Sequence, residues 1–167
     1  MRFLAVIAVV LLASAAASAS TGPQTESETA AARAAALIRQ IHLAPTSERR
    51  ASLASELPSL AERIEPRDAG GALVDGLAGL LDDRESWVQM WAATALAALG
   101  PPARRTAPLL KAAAERKFRE RYGDHPALIA ETGIHAHWVI VDAAIQLEYP
   151  ELEQKDRLGL SFGYIPE

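Results

Sequence analysis

From residue 26 to residue 149 the chain repeats one pattern, apolar residues at helical spacing broken at short intervals by proline or glycine. Each segment between breaks carries apolar residues at helical spacing, and a helix of that kind takes its stability mainly from packing its apolar face. Such segments are stable only when they bury their stripes against one another, so the pattern points to an all-α fold. Composition agrees. Aromatic residues make up 5% of the chain, and alanine and leucine are frequent, which favours helix over strand.

The stripes define the expected elements. Ala34, Leu37, Ile38 and Ile41 mark a first helix, with Ser27 as its predicted cap. The turn Ala44-Pro45-Thr46-Ser47 leads into a second helix carrying Leu53, Leu57, Leu60 and Ile64, which Pro58 is predicted to kink. Leu73, Leu77, Leu80 and Leu81 belong to a third helix over 69–81. Its glycines 70, 71, 76 and 79 suggest close approach to another helix. A fourth helix is expected over Ser86–Leu99, ended by Gly100-Pro101-Pro102. The fifth, over 103–122, has an apolar side of Ala107, Leu110, Ala114, Phe118 and Tyr122. Its other side is basic, with Arg105, Lys111, Arg116, Lys117, Arg119 and Arg121. Interleaved glutamates make a solvated face the plain reading, and an acidic partner or anionic headgroups the functional one. A short helical piece is expected over 127–131, and a sixth helix over 134–147.

Residues 151–167 break the pattern. Leu158, Leu160, Phe162 and Tyr164 alternate with Gly159, Ser161 and Gly163, the period of an extended strand. The expectation is an extended C-terminal arm. It either packs across the last helices as a cap, or is given to a second copy or to a partner's sheet edge.

The stretch 72–112 resembles a HEAT repeat of the short prokaryotic type. Leu77, Leu80, Leu81 and Asp83 match the end of a repeat's first helix and its acidic turn. Val88, Ala92, Ala95, Leu96, Leu99 and Gly100 match the second helix and its terminator, and Ala107 to Leu110 the start of a following repeat. The resemblance implies a short stack of about three antiparallel helix pairs, a solenoid working through broad helical surfaces. The flanks 26–66 and 126–149 share only the helix spacing. The family usually carries charge on the outward side of the second helix, where this chain has Gln89, Met90, Thr94 and Ala98. Trp87 and Trp91 enlarge the apolar area there. Two readings are open: a middle helix buried by its neighbours, or a partner-binding surface lined by Trp87, Met90 and Thr94.

The N-terminus addresses compartment. Arg2 precedes an unbroken apolar run over 3–13, then small residues ending in Ala17-Ser18-Ala19. This is the layout of a cleavable secretion signal over 1–19, with Ser20 as the first mature residue. The alternative is a retained anchor, but the run is short of the ~20 residues that a spanning helix needs. Residues 20–25 read as a flexible mature start, and 26–150 as one helical domain. The chain has no cysteine, so neither a lipid-modified cysteine nor a disulfide is available to it. Its net charge of −4 becomes one unit more negative when Arg2 leaves with the signal, which disfavours nucleic acid as a partner.

Candidate chemistry is sparse. His135 and His137 form an H-x-H pair, but residues two apart on a helix point to different sides and do not readily share a metal. His135 would share a face with Glu131 and Asp142, a conceivable weak site. His125 falls in a turn and His42 at a helix end, where a cationic side chain suits the dipole. Some HEAT-like proteins are metal-dependent hydroxylases with repeated His-Glu pairs, and this chain has no His-Glu dipeptide. No phosphate loop, zinc-protease or nucleophile-elbow motif occurs.

The expectation is an exported bacterial-type protein, periplasmic or secreted, non-catalytic and without a cofactor or metal. It would bind another protein through Trp87, Met90 and Thr94, with Phe162 and Tyr164 as a second contact. The alternatives are a homo-oligomer held by arm exchange, and a metal or enzymatic protein using His135 and His137.

Overall fold

The computed structural model describes residues 25–122 and 136–162. The expected secretion signal, the expected flexible start at 20–24 and the expected piece at 127–131 lie outside the described residues, as do His125, His135 and Tyr164. Among the described residues every regular element is helical.

Helix α1 (Glu26–Leu43) begins one residue before the expected cap. Thr25 is the N-cap and forms a capping box. Its hydroxyl accepts from the Glu28 amide at 3.1 Å, and Glu28 accepts from the Thr25 amide at 2.9 Å. Ser27 instead lies buried in the first turn. Its hydroxyl accepts from the Glu65 amide at 2.8 Å and donates to the Asp68 carboxylate. A residue expected to start the helix therefore fastens it to the 65–68 turn.

The second expected helix is two. Helix α2 (Ser47–Ala54) is capped by Thr46, and α3 (Leu57–Ala61) opens with Pro58 in its first turn. A continuous helix would need the Pro58 nitrogen to donate to Ala54, and proline has no hydrogen there. Breaking before Pro58 puts it where no donor is required. Leu53, Leu57, Leu60 and Ile64 are nonetheless all buried.

Helix α4 (Gly71–Gly79) runs into a 3₁₀ turn at Leu80–Asp82, and α5 (Ser86–Leu99) ends at Gly100. Gly100 has φ of 64°, a conformation that side chains resist, and its amide bonds the Ala97 carbonyl at 3.1 Å. A 3₁₀ turn over Pro101–Thr106 replaces the expected first turn of the fifth helix and leads into α6 (Ala107–Tyr122). Helix α7 spans Ala136–Glu148.

The expected extended arm is overturned over 154–162, where the chain forms helix α8 (Gln154–Phe162). A strand with no sheet beside it leaves its amides and carbonyls unpaired, whereas a helix satisfies them locally. The backbone amides of Asp156 and Arg157 both bond the Glu153 carbonyl, at 3.0 and 3.1 Å, to start it. Arg157 donates to the Leu152 carbonyl at 2.7 Å, and Leu152 packs on the core.

Helix α1 packs against α2, α3 and α4. Helix α5 is central and meets α2, α3 and α4 as well as α7. Helices α6 and α8 both pack on α7. One apolar cluster runs through all of this, from Ala30 to Leu147. Alanine recurs along α5 and α7 in it, which lets their backbones come close. At Gly76 a Cβ would stand 3.3 Å from Ile38 Cδ1, so the expected close approach exists between α4 and α1. It does not extend to Gly70 or Gly79, where a Cβ would meet nothing within 4 Å.

Of the basic residues expected on one side of the fifth helix, Arg105, Lys111, Arg116, Lys117 and Arg119 are occupied by partners. Arg105 pairs with Asp75 at 2.6 Å and Lys111 with Glu148 at 2.7 Å. Arg116 pairs with Asp82, Lys117 with Glu120 at 2.7 Å and Arg119 with Glu115 at 3.8 Å. Three of these pairs tie α6 and the turn before it to neighbouring elements. Exposed pairs contribute little stability each, but they cancel the local charge that would attract an acidic surface.

Candidate functional site

The start of α5 is set by the turn at Asp83. The Asp83 carboxylate accepts from the Glu85 amide at 2.8 Å and pairs with Arg50 of α2 at 3.2 Å. Gln89, expected on the outer side, turns inward instead. It is buried, and its amide donates to the Asp83 carbonyl. That contact fixes the rotation of α5 about its axis. Val88, Ala92, Ala93, Ala95, Leu96 and Leu99 are buried, so α3, α4 and α7 cover most of the helix.

What stays uncovered is one strip. Trp87 is 54% exposed. Met90, Trp91, Thr94 and Ala98 are half-buried, and with Trp87 they share one side of the helix. The two indoles stack, with centroids 6.3 Å apart and planes 27° from parallel. Trp91 also packs on the core, so the pair is anchored at one end and open at the other. Thr94 donates its hydroxyl to the Met90 carbonyl at 3.0 Å, so that hydrogen stays on its own helix. The strip carries no charged side chain. It can exchange water for an apolar surface at little polar cost, which is what a contact anchored on tryptophan requires.

Trp87, Met90 and Thr94 are thus brought together as the sequence suggested. Phe162 is the last residue of α8, and Tyr164 lies outside the described residues. Trp91 completes the strip. Its spacing of four from Trp87 was the available signal.

The histidines have a different setting. His137 is 2% exposed, with its ring 5.5 Å from Phe118 edge-on and 5.0 Å from Trp138. It is a packing residue between α6 and α7. Among the described residues no group of three or more His, Asp or Glu side chains is placed to hold a metal ion. Asp142 faces Arg157 at 3.7 Å, an ion pair too long for a hydrogen bond. Burial raises the Asp142 carboxyl above its ordinary range, and the Arg157 charge offsets only part of that.

No helix among the described residues is long and apolar enough to cross a membrane. No protein-family model, curated protein or solved structure matches the chain.

Proposed function

We propose that this chain is an exported, non-catalytic protein–protein interaction module with a HEAT-like arrangement, and that its contact surface is the uncharged strip of α5. The half-exposed tryptophan stack carries the reading. A large apolar pair, fixed by the core yet open to water, is the usual anchor of a protein contact.

The arrangement is supported by which helices touch. Helix α1 sits with α2 and α3, α4 with α5, and α6 with α7, while α3, α5 and α7 follow one another as neighbours. Three helix pairs stacked side by side produce that pattern. In such a stack α8, packed on α7, serves as the cover of the last pair. Export rests on the apolar run and small-residue site of the first 19 residues.

The test is a photo-cross-linking residue placed at Trp87 or Met90, with exposed Arg39 as the control site. Cross-links to another protein from the first two sites and none from Arg39 are expected. A product of twice the chain mass would replace the adaptor by a homo-oligomer. No product from any site would overturn the reading.

A further inference from the structure

A second feature lies at the other end of the Asp83 turn. The C-terminus of α1, the start of α2 and the end of α4 enclose an open cleft of about 380 Å³. That falls within the size range of ligand sites. Asp82, Asp83, Arg50, Arg84 and His42 supply its charged and polar lining, and Ala44 and Gly79 its small apolar walls.

Most of these charges are already used. Asp83 accepts from Arg50 and from the Glu85 amide, and Asp82 accepts from Arg116. Both acids of the cleft are therefore neutralised by arginines of this chain. The side chains of Arg84 and His42 are exposed and have no hydrogen-bond or ion-pair partner among the described residues. Leu43, between His42 and Ala44, is 82% exposed and adds an apolar group at the edge of the cleft. The cleft thus offers uncommitted donors on a floor of satisfied charge, with an apolar group beside them.

We propose that this cleft binds an acidic segment of a partner protein, a carboxylate taken by Arg84 and His42 with a neighbouring apolar side chain set against Leu43. An arginine fork matches a carboxylate in shape and charge, and the paired acids below it do not repel one. The site uses none of the α5 strip and does not depend on the adaptor reading. Cross-linking at Trp87 and peptide binding at the cleft can each succeed without the other.

The test uses the full mature chain and a fluorescent peptide of alternating glutamate and leucine, with the glutamine–leucine peptide as control. Amide shifts in nuclear magnetic resonance locate the site. Expected are shifts at 42–44 and 79–84 with the acidic peptide only. Arg84→Gln should weaken binding about tenfold, as for loss of one charge-assisted contact. Gly79 provides an independent variant. It has ordinary helical angles, and a Cβ there meets open space, so a longer side chain fits without disturbing the core. Gly79→Lys should tighten binding and Gly79→Glu weaken it. The proposal is overturned if the neutral peptide binds equally, if shifts map only to 87–98, or if the two Gly79 variants do not differ. Sedimentation with phosphatidylglycerol vesicles in place of peptide binding would overturn it as well.

Discussion

Glycine has opposite meanings at two positions of α4. Gly79 faces open space with helical angles, so it costs backbone entropy and gains nothing in packing. Gly79→Ala is expected to stabilise the fold by roughly 0.5–1 kcal/mol. Gly76 lies against Ile38, where even a methyl group would fit only if the Ile38 side chain gave way slightly. Gly76→Leu is expected to cost about 1–3 kcal/mol by forcing α1 and α4 apart. Urea unfolding of the two variants checks both signs, and equal effects would remove the close approach as the reason for Gly76. In the sequence the glycines of 70–79 look alike, because what separates them is the neighbour across the interface. The same limit hid Ser27 and Gln89. Both are polar side chains, and both are buried because a turn presents them a partner, the 65–68 turn for Ser27 and the nearby Asp83 carbonyl for Gln89. The Thr25-x-x-Glu28 capping box stands in the sequence and marks the true helix start, but Ser27, two residues on, offered the same kind of capping side chain and was preferred to it.

At the scale of elements, α5 was readable to the residue because both of its ends carry local signals, a polar turn before Ser86 and Gly100 after Leu99. Helix α8 was not. Its alternation of leucine and glycine imitates a strand, but no sheet among the described residues is there for it to join, and a helix pairs its backbone locally. The contact between α7 and α8 includes the Asp142–Arg157 pair. Burial raises the folded-state Asp142 carboxyl above its unfolded value, so the folded chain holds that proton to higher pH than the unfolded chain. The contribution of Asp142 to stability is then greatest at low pH and declines as pH rises through the folded-state value. Asp142→Asn has no such dependence. The melting temperature of the wild-type chain, measured against that of Asp142→Asn, should fall as pH rises from about 3 to about 7. A difference that stays flat or increases with pH would contradict the dominance of burial over the arginine charge.

Across the whole molecule, one apolar cluster spans α1 to α7 without a cysteine to brace it. Helical content and the buried faces were legible because periodicity and burial are the same fact seen in one and three dimensions. Leu53, Leu77, Leu96 and Leu110 are all core residues in the positions that their spacing demanded. Partner choice was not legible, since a half-exposed strip and a buried one share a composition. Compartment is a separate matter, and the reading of it rests on the sequence of the first 19 residues. If the first 19 residues are a cleaved signal, the intact mass of the exported chain corresponds to a start at Ser20. Recovery of a chain starting at Met1 in the membrane fraction would instead make that segment an anchor.

The stacked indoles of α5 have an optical consequence. Two such chromophores at 6.3 Å couple their transitions and give circular dichroism that neither has alone. Trp138 stands on α7 with its ring 5.0 Å from that of His137. Whatever closes over Trp87 must change the angle or the polarity of that pair. The surface proposed to bind therefore carries its own spectroscopic gauge, readable in the unlabelled protein.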